Sequence, residues 1–360
     1  MTAPSAGPGR IDLIREAAAR HDCTAALVAH PSDVRWATGF TGSNALLAVT
    51  SEGADFYTDG RYTVQAAEEV QGARVHVPGY DLVKALAEGG ALAGRRVAVQ
   101  GDRLTVSTLQ AWTEALDGVD LVPIDGLLKV DVARKSAEEA EAIQAAQRLT
   151  ERVFDDLLPL IKPGVAERDL AAEIVYRHLQ GGAEAMSFEP IVAAGPRGAL
   201  PHARASARAL EAGDLVVIDM GGVLGGYCSD MTRTVAVGTP SDEARAGYDL
   251  VLKAQSAALE AARAGLTSRE LDAAARSVIE TGGLGAYFSH SLGHGVGMEV
   301  HQWPPVSFRS EDVLPEGAVV SIEPGVYVPG RYGVRIEDLV WLREDGAENL
   351  TSAPRELIIL

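Results

Sequence analysis

Four acidic residues stand inside apolar, strand-like runs of this sequence: Asp219 in LVVIDMG, Asp230 in YCSDMTRTVAVG, Glu323 in GAVVSIEPGVYV and Glu337 in GVRIEDLVWL. A lone Asp or Glu is ordinarily a solvated surface acid. These four are flanked by Val, Ile, Met and Leu, so their strands read as buried. A buried, unpaired carboxylate is costly enough that it must be paired, protonated or bound to a metal. Several together offer a hard divalent cation an oxygen-rich cage. Histidine could add a nitrogen ligand. The chain has 8 histidines, and three of them, His290, His294 and His301, fall within SHSLGHGVGMEVHQ. Gly293, Gly295 and Gly297 let the backbone around His294 pass close to a ligand, which favours His294 as the metal-binding imidazole. His202, in the loop-like GPRGALPHARAS, suits a supporting or proton-transfer role, as do His290 and His301. His21, His30 and His76 have no such frame and read as ordinary core or surface residues.

Two hairpins must bring the acids together. In EAGDLVVIDMGGVLGGYCSDMTRTVAVG two strand-like runs flank a Gly-rich centre. A turn centred on Leu224 and Gly225 sets Asp219 opposite Asp230, with Cβ atoms about 4.5–5.5 Å apart. Carboxylates at that distance repel unless a cation or a proton lies between them. Leu-Gly is a poor two-residue turn, so a bulge there could move the register by one. In VVSIEPGVYVPGRYGVRIEDLVWL the turn centres on Gly330 and sets Glu323 opposite Glu337. Arg335 then shares the face of Glu337, ready to neutralise or orient a carboxylate. Tyr327 shares the face of Glu323.

Around these hairpins the chain reads as two domains, residues 1–130 and 131–360, in keeping with a length of 360. Up to about Val130, strand-like runs at 25–30, 45–50, 54–58, 75–79 and 96–100 alternate with helix-like segments at 61–70, 81–90 and 105–116, the pattern of an α/β domain. Long helices are expected over 135–160, with acids in its first turns, and over 165–182, 241–265 and 267–282. No GxGxxG or GxxxxGK[ST] loop indicates a nucleotide cofactor. A formal net charge of −18 disfavours nucleic acid as a partner. No apolar run approaches the roughly 20 residues that span a bilayer, so no membrane is expected. The opening MTAPSAGPGR has no signal-peptide pattern and reads as frayed. The 2 cysteines, Cys23 and Cys228, form no CxxC pair and fit a reducing cytoplasm.

The order VVIDMG, SDMTRT, HSLGHGVGMEVH, SIEPGVY, GVRIEDLV resembles the pita-bread metallopeptidases, the family of methionine aminopeptidase, aminopeptidase P and prolidase. ATGFTGSNALL (37–47) and FYTDGRYTVQA (56–66) resemble the N-terminal domain of the aminopeptidase P, prolidase and creatinase branch, which methionine aminopeptidases lack. The resemblance runs from about Ile11 to the C-terminus. It implies a creatinase-like α/β domain followed by an α+β pita-bread catalytic domain. It also implies two divalent metal ions bridged by Asp230 and Glu337, with Asp219 bidentate on one and His294 and Glu323 on the other. Oxygen-dominated ligation favours Mn²⁺, with Co²⁺ or Zn²⁺ as alternatives. The implied reaction is hydrolysis of the bond before a proline by a hydroxide that bridges the metals. Glu323 would shuttle the proton, and His290 and His301 would bind the carbonyl or steady the tetrahedral intermediate. His202 would line the proline side, and Arg335 with Tyr327 would steady the charge. A homodimer or homotetramer is implied as well.

Within the branch, one residue separates the activities. Many prolidases carry an Arg, in an HEWPR-like stretch, for the free carboxylate of a dipeptide. Here HQWPPVSFRSED places Pro305 at that point, with Arg309 four residues on as a substitute. The missing Arg makes an Xaa-Pro aminopeptidase the expectation and an Xaa-Pro dipeptidase the alternative. A non-catalytic peptide-binding module of the same fold, or a metal-independent creatinase-like hydrolase, fits less well because all five ligand positions match.

Overall fold

A computed structural model describes residues 7–360, and the chain divides between Val132 and Ala133 into two compact units. The frayed opening expected for MTAPSAGPGR lies outside the described residues as far as residue 6. From Pro8 the chain is helical, through Ala19, with the proline at the start where a missing N–H costs nothing.

The first unit is an α/β layer around one six-stranded mixed sheet. Its strand order is Arg74–His76, Gly53–Thr58, Ala45–Thr50, Ala25–Val28, Arg96–Gln100, Asp120–Ile124. The central strands Ala25–Val28 and Ala45–Thr50 are nearly all buried, which explains their unbroken apolar runs. The edge strand Asp120–Ile124 is half exposed and contains Pro123, so its sequence gives no strand pattern.

The second unit repeats one plan twice: two helices, then strands, with a hairpin carrying two acids. Helix Ala137–Leu157 opens on a capping box between Ser136 and Glu139. Its Leu149, Val153, Phe154 and Leu157 share a core with Leu170 and Ile174 of helix Glu167–Gln180 and with Val216, Ile218, Met231 and Val235 of the first hairpin. Helices Asp242–Ala261 and Ser268–Thr281 back the second hairpin in the same way, through Val251, Ala258, Leu271 and Ile279 against Val320, Ile322, Val334 and Ile336. Each fully buried Leu, Ile or Phe contributes about 1.5–3 kcal/mol, so these two cores hold the hairpins firmly.

The first hairpin corrects the expected register. Strand Leu215–Met220 pairs with Met231–Ala236 so that Asp219 faces Thr232, not Asp230. The turn lies on Gly225 and Gly226, both at positive φ, one residue beyond the expected centre. Two adjacent left-handed residues are what a tight hairpin turn needs, and Gly-Gly supplies them where Leu-Gly cannot. Moving the centre by one residue changes the partner by two, so Asp230 stays on the face of Asp219, as a diagonal neighbour.

The second hairpin keeps the expected register. Gly330 sits at φ 73, and the pairs Val328↔Tyr332, Gly325↔Arg335, Ile322↔Asp338 and Val319↔Trp341 share its midpoint. The pairing breaks only at Glu323–Pro324 and Ile336–Glu337. Pro324 has no N–H to give across the hairpin. At the break Glu323 N donates to Leu292 O (2.9 Å) and Glu337 N donates to Thr232 O (3.1 Å). The two acid-bearing residues thereby lace their hairpin to the Leu292 loop and to the first hairpin.

Candidate metal centre

The four carboxylates and His294 converge on one cavity of about 580 Å³. Strand Leu215–Met220 contributes Asp219, and the link before Met231–Ala236 contributes Asp230. The carboxamide of Gln147 grips the backbone of Asp230 on both sides: Nε2 donates to Asp230 O (3.1 Å) and Asp230 N donates to Oε1 (3.2 Å). His294 lies on the short strand Gly293–Gly295. A Cβ on Gly293 would stand 2.0 Å from Ser321 O, so only glycine lets this strand lie against Val319–Ile322. Donor atoms of Asp230, His294 and Glu337 all lie within 4.8 Å of one another. His294 Nε2 stands 3.3 Å from Glu323 Oε1 and 3.6 Å from Asp230 Oδ2. Its Nδ1 is turned to Gly295 O (3.2 Å), which leaves Nε2 as the nitrogen aimed at the acids.

Neighbouring side chains aim the carboxylates. Thr232 Oγ1 donates to Glu337 Oε2 (2.8 Å), and Ser321 Oγ donates to Glu323 Oε1 (3.1 Å). Arg335 Nη2 donates to Asp219 Oδ2 (2.6 Å), Nε to Thr232 Oγ1 (3.0 Å), and Nη1 to Tyr327 Oη (2.8 Å) and Pro201 O (3.2 Å). The carboxylate that Arg335 orients is Asp219, reached across to the first hairpin. The proton order along the chain is set by chemistry: an arginine only donates, so Tyr327 gives its own proton to His290 Nε2 (2.8 Å), and His290 Nδ1 donates to Ser291 O (2.7 Å). Both nitrogens of His290 are therefore engaged, and burial holds it neutral by lowering its pKa.

Electrostatics marks the cluster as short of positive charge. Burial, then the repulsion of Glu337 and Asp219, pushes Asp230 well above the usual carboxylate range. Burial, then Glu323 and Asp219, does the same to Glu337. Asp219 is raised by burial against the opposing pull of Arg335. Glu323 is also buried, but the hydrogen bond and charge of His294 outweigh that and hold it down to about 2. Asp219 Oδ1 is buried and has no hydrogen-bond partner among the described residues. An orphaned carboxylate oxygen, a set of like charges and an imidazole nitrogen aimed among them fit divalent cations. Asp219, Asp230, His294, Glu323 and Glu337 are the residues that would hold them.

The remaining expected residues line the same cavity. His301 sets its ring edge-on to that of His294, centroids 4.4 Å apart, and is exposed, as is His202. Pro305 pairs with His294 across the sheet and lines the cavity without charge. Arg309 does not line it; its guanidinium rests over the Phe308 ring. Phe188, Pro190, Ile191 and Ala203 make an apolar wall. The supporting residues Thr232, Ser321 and Gln147 escape a reading of the sequence. A Thr or Ser in a strand reads as ordinary, and Gln147 sits in an Ala/Glu-rich helix that looks solvated.

Fold and site together define a class: a metallopeptidase whose catalytic unit has the pita-bread fold. The chain belongs to metallopeptidase family M24, whose pattern matches residues 141–344, and residues 10–131 match the creatinase/prolidase N-terminal domain. Membership implies divalent metal ions. Among its relatives, an Xaa-Pro dipeptidase of Pyrococcus furiosus is 44% identical over 71% of this chain and 73% of its own. A solved Xaa-Pro dipeptidase from Bacillus anthracis superposes with a TM-score of 0.94 at 37% identity, covering 98% of this chain and 99% of that one. A solved X-Pro aminopeptidase from Thermotoga maritima does so with a TM-score of 0.89, also at 37% identity, covering 95% and 99%. Among the described residues no helix is long and apolar enough to cross a membrane.

Proposed function

We propose that the chain is a two-metal Xaa-Pro dipeptidase that hydrolyses the bond preceding proline. Residues 131–360 form its catalytic domain and residues 1–130 its creatinase/prolidase-like N-terminal domain. The observation that carries the reading is the close approach of the donor atoms of Asp230, His294 and Glu337, within 4.8 Å, beside an apolar wall suited to a prolyl ring. Mn²⁺ is the cation assigned, because oxygen donors outnumber nitrogen; Co²⁺ and Zn²⁺ are the alternatives. Two such ions would supply a water of lowered pKa and a polarised scissile carbonyl.

The chain's own residues do the rest. Glu323, aimed by Ser321, takes the proton from the attacking water and delivers it to the prolyl nitrogen as that nitrogen leaves. His301 faces the cavity beside His294 and holds the carbonyl oxygen, and His202 meets the proline side. Arg335 and Tyr327 fix the carboxylate of Asp219, and through Tyr327 they fix the ring of His290. Phe188, Pro190 and Ile191 take the proline ring and exclude water. The buried cysteines fit a cytoplasmic enzyme, and a homodimer or homotetramer is the assembly assigned.

The choice of dipeptidase departs from the expectation drawn from Pro305, and the relatives named Xaa-Pro dipeptidase support it. An aminopeptidase is the second reading, favoured by the uncharged Pro305 opposite His294. With Mn²⁺ supplied, Xaa-Pro dipeptides are expected to be cleaved faster than Xaa-Pro-Xaa tripeptides, and a chelator is expected to abolish both. Faster tripeptide turnover would refute the dipeptidase. Full activity after complete metal removal would refute the metal mechanism.

A further inference from the structure

A dipeptide ending in proline brings a free carboxylate into the cavity, next to the prolyl ring. Beside an apolar wall that charge needs a cation with N–H donors. Among the described residues lining the cavity the arginines are Arg204 and Arg335, and no lysine lines it. Arg335 is buried, and its Nε, Nη1 and Nη2 already serve Thr232, Tyr327, Pro201 and Asp219. Pro305 has no charge, and Arg309 is stacked on Phe308 outside the lining. We propose that Arg204 reads the free carboxylate of the Xaa-Pro dipeptide.

This assignment rests on the dipeptidase reading, and three features of Arg204 support it. Its side chain is 87% exposed and lines the cavity. Its ion pair among the described residues is loose: Nε stands 3.8 Å from Glu189 Oε2, and the Glu189 side chain is 72% exposed. An exposed pair of this kind is weak, so an incoming carboxylate can displace it. The backbone beneath is held firmly. Arg204 O accepts from Arg197 Nη2 (2.6 Å), Arg197 is itself paired with the buried Glu167 (2.9 Å), and Pro201 O is tied to Arg335. A fixed base with an exposed guanidinium is what a reader of the substrate's far end requires. Glu189 has the opposite role: it occupies the guanidinium when no substrate is present and competes with the carboxylate.

The test compares Xaa-Pro with Xaa-Pro-amide, which lacks only the charge, on the Mn²⁺-loaded full-length enzyme. The readout is the preference, the ratio of kcat/KM for acid over amide. Arg204→Gln is expected to lower the preference about tenfold or more through KM for the acid, as loss of a charge-assisted hydrogen bond implies. Arg204→Lys is expected to fall between Gln and wild type, because it keeps the charge but not the fork. Glu189→Gln, which removes the competitor, is expected to raise the preference about twofold. A preference in Arg204→Gln that stays within about threefold of a clearly acid-preferring wild type overturns the assignment and leaves the dipeptidase reading standing. A wild type that shows no preference for the acid overturns that reading, and Arg204's role with it.

Discussion

Replacing Arg233 by Met tests how the centre is held from behind. The side chain is 2% exposed, and every N–H direction is spent. Nε donates to Pro354 O (2.8 Å), Nη1 to Thr232 O (3.0 Å) and Glu337 O, and Nη2 to Asp338 Oδ1 (2.8 Å) and Ala353 O (2.8 Å). Removing one partner of a buried ion pair costs about 3–5 kcal/mol, because the other charge stays buried. Asp338 keeps a hydrogen bond from Asn349 (2.9 Å) and has Arg355 at 3.9 Å, which places the pair's share near the lower end. Four carbonyls also lose a donor, each worth a fraction of a kcal/mol to about 1 kcal/mol. The expected loss is about 4–6 kcal/mol, a large part of the 5–15 kcal/mol that holds an ordinary domain. Guanidinium denaturation of metal-free protein would measure it without the added stability of bound cations. Arg233→Met with Asp338→Leu should recover the ion-pair share and leave the carbonyl share lost. A single-variant loss below about 1 kcal/mol, or a double variant no better than the single, would refute the reasoning.

Gln255 is fully buried in helix Asp242–Ala261, and neither amide atom has a hydrogen-bond partner among the described residues. Gln255→Met keeps the shape and removes the unmet polar group, so a gain of about 1–2 kcal/mol is expected; a loss measured by the same denaturation would contradict it. His178 is buried with its pKa lowered by burial, Nδ1 bonded to Ile174 O and Nε2 to Thr150 Oγ1. The folded state therefore binds fewer protons than the unfolded state. Its contribution is whole above the unfolded value of about 6.5 and is lost as pH falls from there through the lower folded value, by up to about 1.4 kcal/mol per pH unit. His178→Gln should flatten the stability profile below pH ~6.5, and an unchanged slope would refute this.

The residues that meet at the centre were legible because carboxylates rarely interrupt apolar strands. Glu323 and Glu337 keep the expected register because the Pro329-Gly330 signal marks the turn of their segment. Asp219 and Asp230 read as sharing a face but pair differently, since four glycines, Gly221, Gly222, Gly225 and Gly226, compete for the turn and sequence spacing does not rank them. Arg335 was legible as a charge near the site, but its partner Asp219 was not, because the two are 116 residues apart and only tertiary packing joins them. The short strands Gly293–Gly295 and Gln302–Val306 carry no strand pattern of their own, and the close approach of Gly293 to Ser321 depends on a neighbour the local sequence does not name. The substrate's far end was the least legible: Pro305 pointed one way and the relatives another.

The shared midpoint at Gly330 makes the segment from Glu323 to Glu337 a ruler. One residue inserted at the tip would slide the returning strand by one place and reverse its alternation. Ile336 would then turn towards the three remaining carboxylates, and Arg335 would leave Asp219. Two inserted residues would restore the face but move Glu337 by about 6.6–6.8 Å along the strand, out of reach of Asp230 and His294. The turn joining Asp338–Arg343 to Gly346–Asn349 carries none of these residues, and its length can change freely. Tags and grafted loops therefore belong at residues 344–345, and residues 329–331 must keep their number even where their identities vary.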